Sequence, residues 1–272
     1  LQKSYEIGLS GSVAYTYSRA KDVNPGNSSQ ARSNWINVNQ VYGLNNVKAA
    51  FADNDIRSRV VAALTYQLNY LGFASTNISL FYNGQSGLPL SYIYNGDVNN
   101  DAGRTNDLVY VPRDASEINL VPITDRSGEV VPGSLTPAEQ WAALDAFISG
   151  NDYLRDRRGD YAERNGDRLP WTNQIDLRLT QEFKLSQADN EHRLQITFDV
   201  FNFTNLVNKD WGRQYTATFN AFQLIDFVGY APGTTTPQFN YTGRGLTDGD
   251  PYFVNDFSSR WRGQLGLRYI FN

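Results

Sequence analysis

The chain has 272 residues, with 24 Lys and Arg against 28 Asp and Glu for a net charge of −4, and so offers no basic patch or stripe for nucleic acid. It has no cysteine and one histidine, His192, which excludes disulfide frameworks, thiolate metal sites, Cys nucleophiles and sites built on several imidazoles. Methionine is absent throughout and Leu1 stands first. This reads as a processed product or a piece of something longer, with no signal peptide in view.

The longest apolar runs fall short of the roughly 20 residues a membrane helix needs. Strands that cross a membrane give a weaker signal, because only every second residue faces lipid. The 17 Tyr and 15 Phe favour β structure. Residues 4–18 alternate, with Tyr5, Ile7, Leu9, Val13, Tyr15 and Tyr17 on one parity and small or polar residues on the other, which predicts one strand. Residues 57–70 repeat the pattern with Val60, Leu64, Tyr66, Leu68 and Tyr70. After a short link, 76–86 carries Ile78, Leu80 and Tyr82 opposite Asn77, Ser79, Asn83 and Gln85, with Phe81 interrupting the polar side.

Two further strands are predicted at 173–183 and 192–201, and a last one at the end of the chain, where Leu265, Leu267, Tyr269 and Phe271 oppose Gln264, Gly266 and Arg268. That makes about six strands. Their connections alternate between short links near 71–75 and 185–191 and long segments over 19–56, 87–170 and 205–255. Compact soluble domains seldom hold structureless loops beyond ~12–15 residues, whereas outer-membrane barrels have short periplasmic turns and long outer loops. The expected fold is therefore all-β, an antiparallel transmembrane β-barrel segment with long loops. The polar parity carries Arg59, Asp176, Arg178, Arg193, Asp199, Arg262 and Arg268, which a barrel turns toward its pore.

Within the loops, Thr136, Pro137 and Glu139 spell a helix start with a capping box, followed by an apolar face of Trp141, Leu144 and Ile148. The stretch GDVNNDAGRTNDL, 96–108, spaces oxygen ligands as a calcium loop does, with Asp97, Asn99, Asp101 and Asp107 as the candidates. Ala102 stands where the loop wants glycine and Leu108 where it wants a closing glutamate, so an Asx-rich turn is the rival reading. RDRRGDYAERNGDR, 155–168, sets Arg155, Arg157, Arg158, Arg164 and Arg168 against four acids. It suits either contact with an anionic ligand or an ion-pair network tying loops together. The lone histidine offers no dyad for catalysis, and no enzymatic activity is expected.

Four segments carry a family resemblance: SLFYNGQSGLPLSYIYNGDVNNDAGRTNDLVYVP (79–112), YLRDRRGDYAERNGDRLPWTNQIDLRL (153–179), FDVFNFTNLVN (198–208) and DFSSRWRGQLGLRYIFN (256–272). Together they span much of the chain, which resembles the C-terminal end of an Oar-like TonB-dependent outer-membrane receptor. The resemblance implies a 22-stranded barrel filled by an N-terminal plug, of which this chain would be about the last six strands. It also implies uptake of a bulky ligand, with no resident cofactor. The implied partners are the rest of the barrel and its plug, the TonB energy-coupling complex, the barrel-assembly machinery and the lipid bilayer. Long loops would then lie outside the cell, with short turns and the C-terminus in the periplasm. Gln264, Gly266, Tyr269 and Phe271 resemble the barrel-insertion signal of outer-membrane proteins, although Asn272 follows where an aromatic residue is usual. The alternatives are a small structural or adhesive outer-membrane barrel and a soluble carbohydrate-binding β-sandwich.

Overall fold

The computed structural model describes residues 2–185 and 192–271. Seven strands form one antiparallel meander: β1 (Gln2–Ser4), β2 (Leu9–Tyr17), β3 (Ser58–Tyr70), β4 (Ala74–Gln85), β5 (Thr172–Lys184), β6 (His192–Phe201) and β7 (Arg262–Phe271). Each pairs with its neighbours in chain order, and β1 and β7 are the two edges, so the sheet does not close on itself. The strands from β3 to β7 run to 13, 12, 13, 10 and 10 residues, enough for a tilted membrane crossing. Of the second short link, residues 186–191 lie outside the described part, as does Asn272.

The register arranges side chains in rows across strands, because pairs opposite one another share a face. One face carries Leu9, Tyr66, Ile78, Leu179, Phe198 and Leu265 in a single row, and Leu64, Leu80 and Leu177 in the next. Most of these residues are exposed, Leu265 and Leu267 about three-quarters so. The other face sets Thr65, Ser79, Arg178, Asp199 and Gln264 in a row. Phe81 does fall on this polar face, opposite Ala63 and Asp176.

The first strand differs from expectation. Residues 4–18 do not run straight through: Tyr5–Gly8 is a turn, closed by the Tyr5 amide donating to Leu9 O at 2.8 Å. Gly8 holds φ +85, and a Cβ there would sit 2.3 Å from Gln67 O, so only glycine fits. The parity of Tyr5 and Ile7 continues that of Leu9 and hides the reversal. This hairpin raises the strand count from about six to seven.

The long connections are not structureless. They fold together into a second body with the main hydrophobic core, built from Leu90, Tyr92, Val109, Leu144, Ile148, Leu154, Phe222, Ile225 and Phe239 among others. Its central sheet places Asp167–Arg168, Pro89–Asn95, Ala221–Tyr230 and Pro237–Asn240 side by side, with the middle pair parallel. Helix α1 (Pro137–Gly150) has the expected capping box: the Glu139 amide reaches Thr136 Oγ1 at 3.3 Å, and the Thr136 amide donates back to the Glu139 carboxylate at 2.8 Å. Leu144 and Ile148 are fully buried.

The chain passes from wall to loop body at Gly87, where a Cβ would lie 2.1 Å from Leu169 O. The Leu169 amide donates to Leu88 O at 2.9 Å across the same crossing, so neither backbone has room to withdraw. Gly87→Ala is expected to cost about 1–3 kcal/mol by overpacking. Limited proteolysis should show it as new cleavage within 87–171 while the wall strands stay protected.

Candidate functional site

Two ion pairs stand on the polar face, and its other charges meet neutral neighbours. Arg178 on β5 grips Asp199 on β6 through two bonds, Nε at 2.5 Å and Nη2 at 3.1 Å, and Asp199 is buried beneath it. Arg193 pairs with Glu182 at 3.6 Å, and Arg59 Nε donates to Asn83 at 2.8 Å. Arg262 lies 6.0 Å from the Phe201 ring centroid. Arg268 stands opposite Gln195, in the same row as Glu182. The seven charges therefore share one face, as their parity requires.

Asp176 has a role that sequence reasoning missed. Its carboxylate accepts the Asn202 amide at 2.7 Å, where β6 ends in a left-handed turn (φ 52). The buried Asn202 side chain donates to Gly212 O at 2.9 Å and Ser259 O at 2.6 Å, pinning both ends of the third long loop to the wall. The available signal was the FNFTN stretch, since Asn tolerates the left-handed region better than most residues.

In the 155–168 segment the arginines are spent on acids. Arg155 pairs with Asp152, Arg157 with Glu163 at 2.6 Å, and Arg158 with Asp145 at 2.5 Å. Arg164 reaches Asp22 at 2.8 Å, and Arg168 is clasped to Asp55, which is 1% exposed. The last two tie the first long loop to the second. Asn165 adds bonds to Phe51 O and Asp53 Oδ1 at 2.7 and 2.8 Å. These pairs form an ion-pair network within and between the loops.

In the 97–107 loop the candidate ligands face backbone amides. Asp97 accepts from Asp101 and Ala102, Asp101 from Gly103, and Asp107 from Val98 and Asn99. Ala102 takes φ +72, the conformation that a glycine would hold without strain. Burial pushes the Asp107 carboxyl up to about 6, against the pull of the Val98 and Asn99 amides and with help from the Asp101 and Asp97 charges. Among the described residues no group of three His, Cys, Asp or Glu side chains is arranged to hold a metal. The oxygens close an Asx-type loop through these amides.

On β7, Gln264 and Gly266 take the polar face and Tyr269 and Phe271 the apolar one. A Cβ on Gly266 would meet Thr197 Oγ1 at 2.5 Å. His192 opens β6 opposite Phe271, stacks on Tyr269 with ring centroids 5.8 Å apart, and shares a 2.7 Å hydrogen bond between Nδ1 and the phenol. Trp171 and Trp261 precede β5 and β7 at the opposite, long-loop end, both partly exposed.

An open, up-and-down wall with long strands, an exposed apolar face, aromatic residues toward both ends and a charged opposite face defines a membrane β-barrel wall. A soluble sandwich would cover that apolar face with a second sheet. Residues 1–221 match the family model described as outer membrane beta barrel domain, and the chain belongs to that family of outer-membrane proteins. No curated protein and no solved structure matches it.

Two outcomes are expected from the geometry. Arg168→Gln leaves Asp55 buried without its cation and should cost about 3 kcal/mol, whereas Arg155→Gln, whose partner Asp152 is largely solvated, should cost under about 1 kcal/mol. Denaturant titration of each variant, followed by proteolysis of the first loop, distinguishes them. Chelation of divalent cations should leave protease cleavage within 96–108 unchanged if the loop is an Asx-rich turn, and faster cleavage would favour the calcium reading.

Proposed function

We propose that the chain is the C-terminal part of the barrel wall, together with the ligand-facing outer loops, of an Oar-like TonB-dependent receptor that takes up a bulky ligand across the outer membrane. The observation that carries this reading is the open sheet. In hydrocarbon, each unpaired backbone N–H and C=O costs several kcal/mol, and the outer edges of β1 and β7 have no partner strand among the described residues. Further strands must pair with them, and a wide barrel with a plug accommodates the charged polar face better than a narrow one. The four segments of resemblance support the same family, and β7 carries the residues of its insertion signal.

In this reading the loop body stands outside the cell and captures the ligand, while the short turns lie in the periplasm. The plug, drawn by the TonB complex at the inner membrane, then rearranges to open a path. The residues of this chain contribute the wall and the capture surface. The plug and the energy-coupling contact belong to other parts of the protein.

The test is the intact mass of the native protein extracted in detergent, combined with crosslinking to TonB in whole cells. A mass several times the 30.7 kDa of these residues, with a TonB crosslink, is expected. A membrane protein of about 30.7 kDa would indicate a small structural barrel instead, and a large protein without a TonB crosslink would remove the energy-coupled mechanism.

A further inference from the structure

Between the first and second long loops lies a cavity of about 260 Å³. Its walls include the rings of Tyr42 and Phe51 and the side chain of Leu108, and three cations line it: Lys21, Lys48 and Arg164. The lysine ammonium groups lie over the two rings, Lys21 5.3 Å from the Phe51 centroid and Lys48 6.0 Å from that of Tyr42. Neither lysine has an ion pair among the described residues. The lining acid, Glu163, is committed to Arg157 at 2.6 Å.

Arg164 is the informative member. It is only 5% exposed, yet just one of its three guanidinium nitrogens is bonded: Nη2 donates to Asp22 Oδ1 at 2.8 Å and Asp22 O at 2.5 Å. Its buried Nε and Nη1 have no acceptor. Nε and Nη1 lie on different edges of the guanidinium, so each offers a carboxylate one charge-assisted bond, and buried donors without acceptors are costly enough that native structures rarely keep them. The sequence reading placed Arg164 among possible ligand contacts as one of five arginines. The structure separates it from the others because it borders a cavity.

We propose that this cavity is a binding site for an organic carboxylate carried on an apolar body of about one residue's size. The carboxylate is held by Arg164 with Lys21 and Lys48, and the body rests against Tyr42, Phe51 and Leu108. The volume is below that of a typical whole-ligand pocket of ~300–1,000 Å³, so the cavity grips one end of a larger ligand or a small free acid. Inorganic anions would leave the aromatic wall unused.

The experiment measures binding to the purified full-length protein in detergent by calorimetry, without reference to transport, so its failure leaves the receptor reading standing. N-acetyl-phenylalanine represents the terminus of a peptide chain, 3-phenylpropionate a free acid, and N-acetyl-phenylalaninamide the same body without the charge. The acids are expected to bind at least about tenfold more tightly than the amide, the equivalent of one charge-assisted bond. Tighter binding of N-acetyl-phenylalanine than of phenylpropionate would assign a chain terminus, and the reverse order a free acid. Arg164→Gln should abolish binding. Because that change also loosens the tie to Asp22, Lys21→Gln and Lys48→Gln serve as variants that leave the fold alone, and each should weaken acid binding several-fold. Equal binding of acid and amide, no binding of either acid at millimolar concentration, or acid binding indifferent to both lysine variants would overturn the proposal.

Discussion

Side chains along a strand alternate between two faces, so pairing register decides which residues of this wall meet hydrocarbon. The central strands hold one register over twelve consecutive pairs from β3 to β4 and again from β4 to β5. A slip of a single residue would turn Arg178, Asp176 and Arg59 outward and Leu64, Leu80 and Leu177 inward. Polar contacts lock the alignment from within, with Thr65 bonded to Ser79 at 3.0 Å, Arg59 to Asn83, and Arg178 to Asp199. The hydrophobic effect cannot choose the register of a lipid-facing surface as it does in water. The polar row therefore carries more of that task here than it would in a soluble sheet.

The chain follows two opposite solvent rules. On the wall, large apolar residues such as Leu265, Leu267 and Phe271 are exposed and the polar side chains are partly covered. In the loop body, Tyr92, Leu144, Ile148 and Leu154 are buried and most charged residues lie toward the surface. The join between the two regimes is built from glycine and asparagine: Gly87 lets two backbones cross, and Asn202 turns the chain and holds the third loop. Buried ion pairs, Arg164 with Asp22 and Arg168 with Asp55, then fasten the first loop to the second.

The wall was legible because period-two alternation runs through each of its long strands. The turn at Tyr5–Gly8 was not, since its flanking residues keep the parity of the strand beyond. Helix α1 announced itself through Thr136, Pro137 and Glu139, a local code. The loop body gave no such signal. Its strands are mostly short, its one ten-residue strand is bulged, and its defining contacts join distant residues, as when Ser91 meets Asn165 across 74 positions and Asn95 meets Asp226 across 131. The arginine-rich segment disclosed a network through its mixed signs. It could not disclose that Arg164 and Arg168 reach back 142 and 113 positions for their acids. The candidate calcium loop had oxygen ligands at a suitable spacing but departed from the pattern at Ala102 and Leu108. What spacing cannot record is that its oxygens face amides.

The parallel pairing of Pro89–Asn95 with Ala221–Tyr230 also sets an order of events in time. The wall hairpins closed by short turns join residues close in sequence and can zip early. The parallel pair must wait until more than a hundred intervening residues have been made and their ends brought together, which places it among the slow contacts of the chain. Until then the edge of Pro89–Asn95 is bare and Tyr94 lacks its stacking partner Phe239. Whatever escorts this protein during assembly therefore meets paired wall hairpins carrying a loop body that is still open.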